Sequence, residues 1–151
     1  RRLRLPLRWG RRVALGPGAA VGKGVRFELG PRGRVTLGAG AWLGSGTRVE
    51  ADGPVSIGAR TLVGARSVFI AGAGISVGDD SVVGDEALLS DRVRVGSRVR
   101  IGPRACLLPG ADVGDGGFVG VRSVVEGPVA PGSNVIGVPA RPQTAAPCRS
   151  R

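Results

Sequence analysis

Histidine is absent from the 151 residues, and that gap removes much of the usual repertoire of protein chemistry. No serine or cysteine can be paired with an imidazole base, and no zinc site can be built on imidazole ligands. The two cysteines, Cys106 and Cys148, are too few for a disulfide framework or a cysteine metal site. No Gly-x-x-x-x-Gly-Lys phosphate loop is present. What remains is cationic: 22 basic residues against 11 acidic give a net charge of +11, and every basic residue but Lys23 is arginine. Such an excess points to an acidic partner such as nucleic acid, a membrane surface or a polyphosphorylated small molecule. It equally fits a GC-rich coding bias, because Gly, Ala, Val and Pro rise with Arg. Aromatic residues do not interleave the arginines, so base stacking has little to work with and no nucleic-acid partner is expected.

The elements that would position these groups follow from a repeat. Glycine reaches 28 residues while tyrosine and methionine are missing, so the core must be built from small and branched aliphatic side chains with frequent turns. From Leu15 onward an aliphatic residue followed by glycine recurs every six residues in pairs. The pairs are Leu15-Gly16 and Val21-Gly22, Leu37-Gly38 and Leu43-Gly44, Ile57-Gly58 and Val63-Gly64, Val77-Gly78 and Val83-Gly84, Val95-Gly96 and Ile101-Gly102, then Val113-Gly114 and Val119-Gly120. Four residues after each aliphatic stands a small or β-branched residue, among them Ala41, Thr47, Thr61, Ser67, Ser81 and Ser123. Period-two alternation with β-branched residues predicts short strands. Glycine at a fixed phase predicts a corner where the backbone bends or takes positive φ.

Every third repeat lacks the glycine: Phe27-Glu28, Val49-Glu50, Phe69-Ile70, Leu89-Ser90, Leu107-Leu108 and Val125-Glu126. The same third side varies in length, being longer in the early coils and six residues from Leu89 to Arg94. Both facts predict an all-β, three-sided parallel solenoid of about six coils, stacked about 4.8 Å apart. The expected organisation is a basic N-terminal cap strand over 1–14, the β-helix over 15–136 and a tail over 137–151. Leu3, Leu5, Leu7 and Trp9 alternate with Arg2, Arg4, Pro6 and Arg8, as a capping strand or a basic membrane-touching arm would. No apolar run has the length of a transmembrane segment, and no signal-peptide pattern is present, so a cytoplasmic protein is expected. Arg104 and Arg122 share one phase one coil apart. Stacked cations are unfavourable unless an anion, water or splaying separates them, and a phosphate would separate them through charge-assisted bonds. Cys106 falls at an outward phase and reads as inert.

The repeat resembles that of the hexapeptide-repeat acyltransferases, whose fold is a left-handed parallel β-helix; the hand follows from the resemblance alone. Residues 101–142, with the Leu108-Pro109-Gly110 turn and the closing Gly137-Val138-Pro139-Ala140-Arg141, look like the last coils of the sugar and xenobiotic O-acetyltransferases. The resemblance implies an acetyl-CoA-dependent transferase acting on a sugar or sugar-nucleotide of envelope polysaccharide type, with no metal. It implies a homotrimer with the coenzyme between subunits. Backbone amides near Gly120 and Val121 would meet the pantetheine arm, and Arg141 would lie near the nucleotide phosphates. The shared phase of Arg104 and Arg122, read from the residues themselves, makes them further candidates for a coenzyme phosphate beside the alternative of two solvated arginines that splay apart.

The chain departs from that family in lacking the histidine that takes the acceptor's proton. Gly72 stands where relatives often carry histidine after a small residue, and after Leu89-Ser90-Asp91 the next repeat follows where relatives extend a loop. The readings left open are a carboxylate base, with Asp91, Glu86 and Asp85 as candidates beside their ordinary role as solvated turn residues; an amine acceptor that needs only positioning; and a scaffold that has lost catalysis and binds a partner or ligand.

Overall fold

In the computed structural model, which describes residues 10–143, a single 3-10 turn at Gly10–Arg12 precedes a chain of strands two to four residues long. They form three parallel sheets, one per side of the prism. Face I carries Val13–Leu15, Arg34–Leu37, Pro54–Ile57, Ile75–Val77, Arg94–Val95, Asp112–Val113 and Pro128–Val129. Face II carries Ala20–Val21, Trp42–Leu43, Leu62–Val63, Val82–Val83, Arg100–Ile101, Phe118–Val119 and Asn134–Gly137. Face III carries Arg26–Leu29, Arg48–Ala51, Val68–Ala71, Leu88–Leu89, Cys106–Leu107 and Val124–Val125. The whole is a left-handed parallel β-helix of about six turns.

Register follows the sequence period. On face I, Leu37 lies over Ile57, Ile57 over Val77, Val77 over Val95 and Val95 over Val113. Alternation sends these aliphatics inward, where they are buried together with Phe27, Val49, Phe69, Leu89, Leu107 and Val125 of the glycine-free side. The interior also holds Thr47, Thr61, Ser67, Ser81 and Ser123. Their hydroxyls meet corner backbone: Thr61 Oγ1 donates to the Gly78 carbonyl at 2.6 Å, Ser81 Oγ to Gly96 at 2.9 Å, and Ser123 Oγ accepts from the Gly137 amide at 3.0 Å. A buried hydroxyl without such a partner would cost more than the bond contributes.

Two separate demands turn out to shape the corners. The glycine that follows each aliphatic is required by close stacking, not by φ: a Cβ on Gly102 would stand 2.7 Å from the backbone nitrogen of Val121 in the next coil. Positive φ falls two residues later. Gly18, Gly24, Gly40 and Gly46 fill that position in the first coils, Arg60, Arg66, Asp80, Glu86, Arg98, Arg104 and Arg122 fill it afterwards with φ between 55° and 60°, and glycine returns at Gly116 and Gly132 of the first corner. The third corner has no fixed length. Successive partners on face III are 22 residues apart from Phe27 to Val49, 20 from Val49 to Phe69 and 18 from Leu89 to Leu107.

Val13–Leu15 already pairs with Arg34–Leu37, so the winding begins ahead of Leu15. Leu3, Leu5, Leu7, Trp9 and Cys148 lie outside the described residues. At the far end Ala140–Pro142 folds back antiparallel on Asn134–Gly137.

Candidate functional site

The three faces differ in what they show to solvent. Along face II the outward column Trp42, Leu62, Val82 and Phe118 leaves large apolar side chains 40, 48, 40 and 38% exposed, interrupted only by Arg100. Face III adds an outward run of half-buried Val68, Leu88, Cys106 and Val124. Face I is hydrophilic, with Thr36, Ser56, Ser76, Arg94 and Asp112 in its outward column.

Faces II and III meet at the second corner, where the positive-φ positions stack as Gly24, Gly46, Arg66, Glu86, Arg104 and Arg122. The backbone holds the column in register: the Glu86 amide donates to the Ala65 carbonyl, Arg104 to Asp85 and Arg122 to Pro103, at 2.8–3.0 Å. Glu86 bridges its two neighbours, with one carboxylate oxygen 3.1 Å from Arg66 Nη2 and the other 3.1 Å from Arg104 Nε. The hydrogen bond from Arg66, then the charge and hydrogen bond of Arg104, hold its carboxyl below the usual carboxylate range. The anion beside Arg104 is therefore supplied by the protein. Arg122, one coil further on, makes no ion pair among the described residues. A shallow hollow lined by Asp85, Glu86, Pro103, Arg104, Val121 and Arg122 lies here, and the groove along the face II column from Trp42 to Phe118 shares Asp85 and Pro103 with it.

Of the coenzyme-contact candidates, Gly120, Val121 and Arg122 are contiguous at this corner and Arg104 joins them. Arg141 does not line that hollow. It sits opposite Ile136 on the terminal hairpin and lines a hollow with Glu126, Gly127, Pro128 and Pro139. The hairpin connects the two places, because Ile136 lies over Gly120: a Cβ on Gly120 would meet Ile136 Cγ1 at 2.7 Å.

The three carboxylate candidates split between corners, and each braces the winding. Asp85 accepts the Ala65 amide at 2.8 Å. Asp91 lies on the third corner, away from Asp85 and Glu86, and accepts the amides of Ala73 at 2.6 Å and Gly74 at 3.2 Å. Loss of water contact raises its carboxyl pKa, but these amides outweigh that and leave it below the usual range. Glu86 and Asp91 are thus weaker proton acceptors than ordinary carboxylates at neutral pH. Asp79 and Asp115 do the same bracing, on the Ala59 and Ser97 amides. Burial pushes the Cys106 thiol up, which keeps it protonated and unreactive. Among the described residues no cluster of three or more acidic or cysteine groups stands ready to hold a metal, and no helix is long and apolar enough to cross a membrane.

The sequence reading missed the bridging role of Glu86. Its signal was the acid that stands between Arg66 and Arg104 at equal phase in three successive coils.

Residues 54–85 match the family described as the hexapeptide repeat of succinyl-transferase. No curated protein matches the chain. Among solved structures, a mutant of AntD, an N-acyltransferase from Bacillus cereus in complex with dTDP and coenzyme A, superposes with a TM-score of 0.80 at 19% identity, over 92% of this chain and 86% of that one. A Bacillus cereus putative acetyltransferase gives 0.80 at 23% identity, over 90% of this chain and 81% of that one. A mutant perosamine N-acetyltransferase from Caulobacter crescentus, in complex with CoA and GDP-perosamine, gives 0.72 at 26% identity, over 83% of this chain but 56% of that protein.

Proposed function

We propose that this hexapeptide-repeat chain is an acyltransferase that moves an acetyl group from acetyl-CoA to a sugar or sugar-nucleotide. The observation that carries the reading is the juxtaposition at the second corner. An apolar outward column runs along face II beside a hollow where Arg122 has no ion-pair partner among the described residues and Arg104 shares its partner. A coenzyme with an apolar arm and a polyanionic head matches that order of surfaces, since guanidinium forks bind phosphate with charge-assisted bonds. Val121 lines the hollow where the arm would pass, whereas the Gly120 amide already donates to the Val135 carbonyl at 2.9 Å; Arg141 on the hairpin adds a further cation for the nucleotide phosphates. Two of the three structural relatives described bind coenzyme A together with a nucleotide or nucleotide sugar.

The acceptor fits an amine best. A neutral amine attacks the thioester carbonyl without a base, forming a C–N bond as the C–S bond breaks; the thiolate departs and the amine's proton passes to it or to solvent. The protein then contributes positioning and exclusion of water. That suits a chain without histidine whose carboxylates Asp85, Glu86 and Asp91 already hold bonds. The working unit is a homotrimer: faces II and III both present apolar side chains, and packing face II of one copy against face III of the next is a head-to-tail contact that closes into a ring. We place the protein in the cytoplasm, where acetyl-CoA and nucleotide sugars of envelope polysaccharides are available.

Titration with acetyl-CoA tests the reading: saturable binding that raises Tm, with CoA thiol released when a nucleotide-linked amino sugar is added, is expected. No binding at millimolar acetyl-CoA would sink it. Binding without transfer to any amino or hydroxyl sugar would favour the second reading, a ligand-binding scaffold, which the missing histidine supports.

A further inference from the structure

The hydrophilic face carries a third hollow that the acyl-transfer reading does not use. Between the coil of Ser76 and that of Arg94 the third corner loses two residues, from Phe69–Ile75 to Leu89–Val93. Beside this contraction lies a hollow lined by Pro54, Ser56, Gly74, Ser76, Arg92 and Arg94. Ser56, Ser76 and Arg94 lie in register on adjacent strands and point outward. Arg94 makes no ion pair among the described residues, although Asp112 is its outward neighbour in the next coil. Arg92 reaches only to 3.7 Å from Asp91 Oδ2, and the other oxygen of that carboxylate is held by the Ala73 and Gly74 amides.

We infer that this hollow binds the phosphoryl group of a phosphorylated small molecule, seated between Arg92 and Arg94 and hydrogen-bonded by Ser56 and Ser76. Guanidinium groups have no acceptor, and hydroxyls can turn to donate, so the side chains offered here favour a ligand rich in acceptors and negative charge. Two forks suit a phosphoryl group, which presents three oxygens, better than a carboxylate, which one fork satisfies. Adjacent serines leave room for the hydroxylated body of a sugar phosphate along the strands. Asp112 opposes the anion from the side and sets an upper limit on affinity. None of these residues belongs to the second-corner hollow.

The test is a titration of the full chain with inorganic phosphate and then with a hexose 1-phosphate, followed by backbone amide NMR at fixed ionic strength. Saturable shifts are expected at Ser76, Arg92 and Arg94. Arg94→Ala should weaken binding by about tenfold or more, the scale of a lost charge-assisted bond, while Asp112→Asn should strengthen it. Acetyl-CoA binding, measured on the same variants, should be unchanged, so that failure of this site and failure of the acyl-transfer reading are read separately. Shifts confined to Val121 and Arg122, linear shifts matched by chloride, or an Arg92→Ala/Arg94→Ala double variant that binds both probes like the parent would each overturn the inference.

Discussion

The first and second corners of the prism are built to one plan and end differently. At the first corner the positive-φ positions read Gly18, Gly40, Arg60, Asp80, Arg98, Gly116 and Gly132; at the second they read Gly24, Gly46, Arg66, Glu86, Arg104 and Arg122. In both, an acid sits between two arginines. Asp80 reaches only downward, binding Arg60 Nε at 2.6 Å and Nη2 at 3.0 Å, and makes no ion pair with Arg98. Glu86, one methylene longer, divides its oxygens between Arg66 and Arg104. The first column then reverts to glycine while the second adds Arg122. The same scaffold position is thus neutral on one edge and cationic on the other. An L-residue in the left-handed region costs about 1–2 kcal/mol against glycine, and in the coil where the first corner avoids that cost with Gly116 the second corner bears it at Arg122.

Five measurements would break or sharpen that contrast. The largest effect is expected where the corners are alike: Gly102→Val, whose Cβ would lie 2.7 Å from the Val121 nitrogen, should destabilise the fold by about 3 kcal/mol in denaturant unfolding, and a variant of parental stability would refute close stacking as the reason for the glycine. Next, Leu62→Glu should reduce the mass seen in light scattering to that of a monomer, whereas Thr36→Glu on face I should not. Third, Arg122→Gly should raise Tm by relieving the backbone while weakening acetyl-CoA binding about tenfold; Arg98→Gly should raise Tm and leave coenzyme binding untouched. If both variants bind alike, the corners are functionally equivalent. Fourth, Asp80 and Glu86 both have carboxyls held below the usual range, by hydrogen bonds from Arg60 and Arg66 first. Depressed folded pKa values contribute stability that is present above the unfolded value, near pH 4, and lost as pH falls through the folded one. Tm should therefore fall more between pH 4 and pH 2 in the parent than in a Asp80→Asn/Glu86→Gln double variant. Smallest of all, Asp80→Glu should let the first corner bridge Arg98 as the second bridges Arg104, seen as a slight, salt-sensitive rise in Tm, since exposed ion pairs contribute little.

Most of the architecture was legible because glycine is demanded by geometry that no other residue meets. The pairs from Leu37-Gly38 to Val119-Gly120 mark where strands turn, and the glycine-free repeats at Phe27, Val49, Phe69, Leu89, Leu107 and Val125 mark the third side. What the period could not tell was why. It treated bending and positive φ as one property, whereas the collision at Gly102 and the φ of 60° at Arg104 are separate demands two residues apart. The pairing of Arg104 with Arg122 was visible as a shared phase, but the partner that neutralises Arg104 came from the coil below, and only stacking shows that Glu86 spans both ways. Side-chain reach is not written in a repeat. Nor is the place of Arg141, which depends on a reversal of chain direction that the hexapeptide pattern does not contain.

That reversal has a consequence for the molecule as an object. A stack of parallel rungs has no intrinsic reason to stop, and an open last rung invites another chain to continue it. Ala140–Pro142 turns back on Asn134–Gly137, and the Gln143 amide donates to the Asn134 carbonyl at 2.7 Å, so the last parallel rung of face II is covered by an antiparallel strand, which is no template for a further parallel coil. The solenoid is in this sense self-terminating on that side, and removing the returning strand should turn a discrete particle into one prone to grow end to end.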